Sequence, residues 1–220
     1  MSIPLNTNTH SIMLAGKTGA LECAYDIPAQ PAGNALAGTA IIAHPNPQQG
    51  GTIDNKVVHT MARALLQQGY MVWRFNYRGV SLSEGTWDNG NGETEDMLTV
   101  IQHAQSLPEA QNKPLVLAGF SFGAYITAKV AEQLTQAGMP VQQLILVGLA
   151  AGKYIIPAVP ENTLVIHGEQ DEVIPCENVM DWCRPQHIPV TVLPGASHFF
   201  HGQLPALKNI ILRFRLNSIE

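Results

Sequence analysis

The sequence predicts an α/β fold, a mostly parallel, twisted sheet with helices on both faces, in a single domain over residues 1–220. Short apolar runs alternate with segments of helical periodicity from Thr39 onwards, and strands that alternate with helices form parallel sheets. The apolar runs are nearly continuous, which is typical of strands buried on both faces. A chain of 220 residues with 45% hydrophobic residues is long enough for one sizeable core.

Two strands are predicted before this alternation begins. The runs SIMLAG, from Ser11, and ALECAYDI, from Ala20, are joined around Gly16–Gly19 and predict a hairpin. The stretch from Pro28 to Gly38 is rich in proline and glycine and predicts a surface connection.

The alternation starts with a strand over residues 39–44 and a helix over residues 53–69. That helix has apolar residues at helical spacing from Val57 to Leu65 and ends at Gly69. The later predicted elements are, in order, a strand over 70–77, a helix over 92–107, a strand over 113–120, a helix over 123–138, strands over 141–150, 163–170 and 189–195, and a helix from about 204 to 216.

Composition and charge exclude several classes of protein. The net charge is −5 and the 12 basic residues form no run, which argues against a nucleic-acid partner. The first residues have neither the charged nor the apolar region of a signal peptide, and the longest apolar runs are too short to span a bilayer. The three cysteines are odd in number, and although Cys176 and Cys183 could pair by spacing, free thiols in a cytoplasmic protein are expected.

One pentapeptide carries the strongest functional signal. Gly119-Phe120-Ser121-Phe122-Gly123 follows a predicted strand and opens a predicted helix, the context that a G-x-S-x-G nucleophile elbow requires. At such a turn the serine takes a strained backbone conformation, and small neighbours let strand and helix approach. A helix N-cap would explain Ser121 but not the two glycines. We therefore predict that Ser121 is a nucleophile.

A nucleophilic serine needs a base, and the base needs an acid that orients it, in the chain order Ser, Asp or Glu, His. Asp171 lies just past one predicted strand and His198 just past the next. Sheets of this kind place their chemistry at the carboxyl ends of the strands. Ser121, Asp171 and His198 are therefore the predicted catalytic residues. Glu169 and Glu172 remain alternatives to Asp171, and His201 remains a weaker alternative to His198.

These motifs make the chain resemble the α/β-hydrolases. The resemblance rests on GFSFG, HGEQDEVIP and GASHFF, supported by AHPNPQQGG and FNYRGVSLSEG, and extends from about Ser11 to the last helix. It is similar to the small bacterial hydrolases near the dienelactone-hydrolase and carboxylesterase groups. The resemblance favours Asp171 as the acid, because GEQDEVIP matches the acid turn of the family there. Dienelactone hydrolases use a cysteine nucleophile, however, so ring-lactone chemistry is not implied for Ser121.

An oxyanion hole is expected from two backbone N–H groups. One belongs to the residue after the nucleophile, Phe122. The other comes from the loop after the first parallel strand, which reads His44-Pro45-Asn46-Pro47. Proline has no N–H, so beyond His44 only Asn46 can donate within that tetrapeptide. Asn46 and Phe122 are therefore the predicted donors.

The connection after the strand that follows the nucleophile helix is too short for a cap domain. It runs from about Ala151 to Asn162 and contains two prolines, so the pocket should be open and suit small acyl groups. The apolar residues that could line a shallow acyl site are Phe120, Phe122, Phe199 and Ile155, with Phe120 the one expected to be a core residue instead. Arg78 and Glu84 are expected to hold a long loop together rather than to act in catalysis.

The sequence thus predicts a cytoplasmic, lidless serine hydrolase of small-molecule carboxylic esters or thioesters. It is expected to need no cofactor or metal, to bind neither nucleic acid nor membrane, and to be a monomer or homodimer. Two alternatives remain. One is a peptidase of the same superfamily, and the other is a non-catalytic protein that keeps the fold to bind a partner or small ligand.

Overall fold

The computed structural model describes residues 9–29, 36–139 and 141–214. In this part of the chain eight strands form one sheet in the order β1-β2-β4-β3-β5-β6-β7-β8. The strands are β1 (Thr9–Gly16), β2 (Gly19–Asp26), β3 (Gly38–Ala43), β4 (Tyr70–Phe75), β5 (Leu115–Phe120), β6 (Gln143–Val147), β7 (Leu164–Gly168) and β8 (Val190–Leu193). The helices are α1 (Lys56–Gln67), α2 (Asn91–Ser106), α3 (Phe122–Gln136), α4 (Cys176–Cys183) and α5 (Leu204–Arg213).

The sheet confirms the predicted α/β architecture. β1 and β2 form the predicted antiparallel hairpin, closed at Gly16 and Gly19, and β2 pairs antiparallel with β4. All pairings from β4 to β8 are parallel. Three predicted segments lie partly or wholly outside the described residues: the N-terminus before Thr9, most of the connection from Pro28 to Gly38, and the predicted helix beyond residue 214.

Alternate residues of the central strands pack against helices on opposite faces of the sheet. In β5, Leu115 and Leu117 pack in the same cluster as apolar residues of α2 and α3. Val116 and Ala118, between and after them, pack with α1 and α5 on the other face. Because successive side chains of a strand point to opposite faces, a run of apolar residues buries both faces at once, as predicted.

α4 is the one described α-helix that the sequence analysis does not predict. It has eight residues and begins after Pro175 without a side-chain N-cap hydrogen bond. Only Val179 and Cys183 are buried, so the helical periodicity in the sequence is too short to be recognised.

Several features of the described residues bear on the exclusions drawn from composition. Cys23, Cys176 and Cys183 are free. In the part of the chain that the structure describes, none of the helices is both long and apolar enough to cross a membrane.

No helix occurs between β6 and β7, where all residues are described. This connection contains a tight turn with an isolated bridge between Ala151 and Tyr154.

Candidate active site

The carboxyl edge of the parallel strands brings together three side chains that are distant in sequence. Ser121 follows β5, Asp171 follows β7 and His198 follows β8. The Nε2 atom of His198 lies 3.0 Å from Ser121 Oγ, and its Nδ1 atom lies 2.7 Å from Asp171 Oδ2. All three residues are buried. Hydroxyl, imidazole and carboxylate thus form one hydrogen-bonded chain, in which the imidazole is placed to accept the serine proton.

The backbone of Ser121 has a conformation that residues with a side chain rarely adopt. Its φ is 56° and its ψ is −117°, and such conformations cost about 1–3 kcal/mol. Three hydrogen bonds hold it: Ser121 N–H donates to the Val147 carbonyl at 2.9 Å, and the Ser121 carbonyl accepts from the N–H groups of Ala124 at 3.0 Å and Tyr125 at 3.4 Å. The strained residue is therefore fixed at the turn between β5 and α3.

The two glycines of the pentapeptide are needed because strands and helix approach closely here. A Cβ atom at Gly119 would lie 2.2 Å from the Gly123 carbonyl oxygen. A Cβ atom at Gly123 would lie 2.2 Å from the Ala43 carbonyl oxygen. Any side chain at either position would separate β5, α3 and β3 and move Ser121.

Asp171 is held as a carboxylate by bonds to both of its oxygens. Oδ1 accepts from the N–H groups of Val173 at 2.9 Å and Ile174 at 2.7 Å, while Oδ2 faces His198. Burial by itself would raise the pKa of Asp171, but the hydrogen bonds from His198 and Ile174 oppose it, and the pKa lies below its ordinary value. An ionised Asp171 accepts the Nδ1 proton of His198, which leaves the Nε2 lone pair for Ser121.

His167 supports the turn that carries Asp171. Its Nε2 donates to the Ile174 carbonyl at 2.9 Å and lies 3.3 Å from Asp171 Oδ2. The ring is fully buried, and this burial lowers the pKa of His167 below its ordinary value. A neutral imidazole therefore packs beneath the carboxylate and fixes its position.

The alternative acids and the alternative base occupy other places. Glu169 Oε2 accepts from Gly195 N–H at 2.8 Å, and Glu172 Oε2 accepts from the backbone N–H of His198 at 3.1 Å. His201 is exposed, with its ring 5.9 Å from that of Phe199. Both glutamates thus hold the β8 loop through its backbone, whereas Asp171 meets the imidazole of His198. The role of Glu172 was not anticipated from the sequence.

Asn46 and Phe122, the predicted oxyanion-hole donors, border cavities that Ser121 also borders. Asn46 borders both cavities that reach Ser121, and Phe122 borders one of them. The Asn46 side chain accepts from Gln48 N–H at 2.8 Å and caps the short turn Pro47–Gln49. Phe122 is the first residue of α3, where N–H groups have no acceptor within the helix. Neither of the two N–H groups donates to another atom of the described residues.

His44 joins the Asn46 loop to the end of β4. Its Nδ1 donates to the Pro45 carbonyl at 2.7 Å, and its Nε2 accepts from Tyr77 N–H at 3.3 Å. Complete burial lowers the pKa of His44 to about 3. The imidazole is therefore neutral at ordinary pH, and its two bonds set the position of the loop that carries Asn46.

Two lobes of one cleft meet at Ser121. Both are bordered by Asn46, Gln49, Ser121 and Val173. The histidine lobe has a volume of about 130 Å³ and is further bordered by Pro45, Gly50, Gly51, Asn55, His198 and Phe199. The tyrosine lobe has a volume of about 80 Å³ and is further bordered by Phe122, Ala150, Lys153 and Tyr154.

The four apolar residues considered for an acyl site differ in placement. Phe199 is 38% exposed and borders the histidine lobe, and Phe122 borders the tyrosine lobe. Phe120 is fully buried in the core, as expected. Ile155 is 96% exposed and is not among the residues that border either lobe. The turn next to it, with Lys153 and Tyr154, lines the cleft instead, and its position after a strand end was the available signal in the sequence.

Arg78 and Glu84 stabilise the loop after β4 through different partners. The Arg78 guanidinium binds the carboxylate of Asp96 at 2.8–3.1 Å and that of Glu95 at 3.2 Å. Glu84 accepts from Ala20 N–H at 2.8 Å.

Across residues 9–29, 36–139 and 141–214, no three His, Cys, Asp or Glu side chains are grouped so that they could hold a metal ion together.

Comparisons with known proteins agree with this architecture. The family model for a thioesterase domain matches residues 90–161, which contain Ser121. A lidless α/β serine hydrolase from Xanthomonas campestris is 35% identical, with a TM-score of 0.84 over 97% of this chain and 95% of that one. An α/β serine hydrolase homologue from Coxiella burnetii is 38% identical, with a TM-score of 0.80 over 94% of this chain and 98% of that one. An uncharacterised protein of Rickettsia prowazekii is 31% identical over 73% of this chain and 71% of that protein.

Proposed function

Because this chain belongs to the α/β serine hydrolase family, we propose that it cleaves small carboxylic esters or thioesters through an acyl-enzyme on Ser121. The observation that carries the proposal is the hydrogen-bonded chain from Ser121 Oγ through the imidazole of His198 to Asp171. A serine with a purely structural role would need neither these hydrogen bonds nor the strained backbone that the turn maintains.

In the first half of the reaction Ser121 is acylated. His198 Nε2 removes the hydroxyl proton as Oγ attacks the carbonyl carbon, and Asp171 stabilises the imidazolium that forms. The carbonyl oxygen becomes an oxyanion that accepts from the N–H groups of Asn46 and Phe122, at the positive end of the α3 dipole. His198 then gives its proton to the departing alcohol or thiol, and the acyl group remains on Oγ.

In the second half water takes the place of the leaving group. His198 removes a proton from the water as it attacks the acyl carbon, and the same two N–H groups receive the oxyanion again. Collapse of this intermediate breaks the bond to Oγ. His198 returns the proton to Ser121, and the carboxylic acid leaves.

The dimensions of the cleft favour small substrates. Both lobes are small, and the connection between β6 and β7 forms no cap over them. A long lipid chain would therefore lie largely in water, with little of its apolar area buried. Thioesters join esters in the proposal because the thioesterase-domain model matches the segment that contains Ser121.

Labelling with a fluorophosphonate, read by intact mass, tests whether the serine is activated. We expect one adduct on the wild-type protein and none on Ser121→Ala. Ser106→Ala is a matched control, since Ser106 is an exposed residue at the end of α2, and should be labelled like the wild type. Steady-state rates with ethyl acetate, ethyl octanoate and an acetyl thioester then test the substrate class.

Two results would contradict the proposal. An adduct that persists on Ser121→Ala would place the reactive residue elsewhere. A folded wild-type protein that forms no adduct would favour the non-catalytic alternative, in which the same cleft only binds a ligand.

A further inference from the structure

The tyrosine lobe contains a positive charge that the proposed reaction does not use. Lys153 borders this lobe together with Ser121 and Phe122. Among the described residues that border either lobe, there is no other Lys or Arg and no Asp or Glu. The chain as a whole has a net charge of −5, so a cation at this position does not follow from a generally basic surface.

The Lys153 ammonium has no partner of its own in the described part of the chain. Its backbone N–H donates to the Ala150 carbonyl at 3.2 Å, but no hydrogen bond or ion pair of its side chain occurs there, whereas Lys17 pairs with Glu95 and Lys129 binds Asn91. A free ammonium at the edge of a cleft is available to a substrate anion without first breaking another ion pair.

The turn that carries Lys153 is held from both sides. Tyr154 stacks on Tyr125 of α3, with ring centroids 4.5 Å apart and an interplanar angle of 10°. On the other side, Asn178 of α4 donates to the Ala151 carbonyl at 3.4 Å. These contacts hold the backbone of the turn beside the cleft, and the exposed side chain of Lys153 extends from it.

The chemistry at Ser121 assigns the two lobes to the two halves of the substrate. His198 must give its proton to the leaving group, so the alcohol or thiol leaves on the side of the imidazole. His198 borders the histidine lobe and not the tyrosine lobe. The acyl chain must then extend into the tyrosine lobe, towards Lys153.

We propose that Lys153 binds a carboxylate at the far end of a short acyl chain, so that the preferred substrates are half-esters or half-thioesters of dicarboxylic acids. This inference rests on the proposed function. The tyrosine lobe is small, at about 80 Å³. We therefore expect a short acyl chain, such as the two methylene groups and terminal carboxylate of a succinyl group.

The test compares two substrates of equal length that differ in charge. Monoethyl succinate carries the carboxylate, and ethyl succinamate carries a neutral amide in its place. The measured quantity is the ratio of their kcat/KM values. Because Lys153 is exposed, we expect Lys153→Gln to lower this ratio by roughly three- to fivefold at low ionic strength, and Lys153→Glu to lower it further. High salt should bring the wild-type ratio down to that of Lys153→Gln.

Lys113→Gln is a matched control. Lys113 lies just before β5, at the amino edge of the parallel strands and thus opposite to the cleft. The same loss of one charge there should leave the ratio unchanged. A third substrate, O-acetyl glycolic acid, carries its carboxylate on the leaving group, and Lys153→Gln should not affect its kcat/KM relative to ethyl acetate.

Binding to the Ser121→Ala variant separates this inference from the proposed function. Ligand-observed NMR should show tighter binding of monoethyl succinate than of ethyl succinamate, and Lys153→Gln in the same background should remove the difference. Equal binding of the two esters, or an effect of Lys153→Gln only on O-acetyl glycolic acid, overturns the inference. A retained binding preference without turnover by the wild type supports carboxylate binding by Lys153 and overturns the proposed function.

Discussion

The oxyanion hole can be tested at a single backbone atom. Asn46 has a φ of −52° and a ψ of 116°, and the proline ring holds φ at about −65 ± 15°. Asn46→Pro therefore removes the N–H group while the backbone keeps nearly its native φ. The substitution also removes the side-chain oxygen that accepts from Gln48 N–H. Asn46→Ala removes that same oxygen but retains the N–H group, so the two variants differ in the donor itself.

The expected magnitudes follow from these contacts. Both variants lose the hydrogen bond to Gln48 N–H, which is worth about 1 kcal/mol of stability. Only Asn46→Pro loses a donor to the oxyanion, and such a loss lowers kcat by about 10²–10³-fold, or roughly 2.7–4 kcal/mol of transition-state stabilisation. We therefore expect Asn46→Ala to retain most of the activity and Asn46→Pro to lose a further factor of about 10²–10³ in kcat.

Steady-state kinetics with a small ester, together with the melting temperature of each variant, decide the question. Similar melting temperatures would show that both variants fold, so that a difference in kcat reports the donor. Equal kcat values for folded Asn46→Pro and Asn46→Ala would refute the reasoning and would move the second donor of the oxyanion hole away from Asn46.

Three further predictions concern the acid, the elbow and the pH dependence. Asp171→Asn should lower kcat by roughly 10⁴-fold, because the amide donates to His198 and favours the wrong tautomer. Glu172→Gln keeps an oxygen for the backbone N–H and should lower kcat far less. If steady-state kinetics gave the opposite order, Glu172 would be the acid. Gly123→Ala should destabilise the fold by about 1–3 kcal/mol in urea unfolding, because its methyl group would lie 2.2 Å from the Ala43 carbonyl oxygen; an unchanged midpoint would mean that α3 and β3 separate without cost. Burial lowers the pKa of His44 from 6.5 to about 3, so between these values the unfolded chain binds the proton and the folded one does not. Stability should therefore fall on acidification through that window by up to about 1.4 kcal/mol per pH unit from this group, and His44→Gln should reduce the slope in urea unfolding; an identical slope would exclude His44 as its source.

Much of the fold follows from local patterns. The hairpin, the order of strands and helices, and the turn at Ser121 depend on apolar runs and on glycines that are close in sequence. The short helix α4 could not be predicted in this way, because only two of its residues are buried and its packing comes from the neighbouring strands.

The arrangement of the acidic residues depends on tertiary structure. Glu169, Asp171 and Glu172 lie within four positions of one turn, and each is a chemically reasonable partner for a histidine. The turn directs Asp171 to the imidazole of His198 and both glutamates to backbone N–H groups of the β8 loop. The order of the residues in the sequence does not show which of the three carboxylates faces His198. That depends on the path of the β8 loop, because His198 lies 27 residues after Asp171.

The sequence by itself therefore determined the architecture and the segments at which chemistry was to be sought. Strand ends are recognisable because burial on both faces of a sheet requires a continuous apolar run, and the chain must turn where that run stops. Tertiary structure alone decided which side chains meet, and that the turn with Lys153 and Tyr154 borders one lobe of the cleft. The physical reason is that contacts between loops depend on the separation and direction of the strands that carry them, and those distances are set by the packed sheet as a whole.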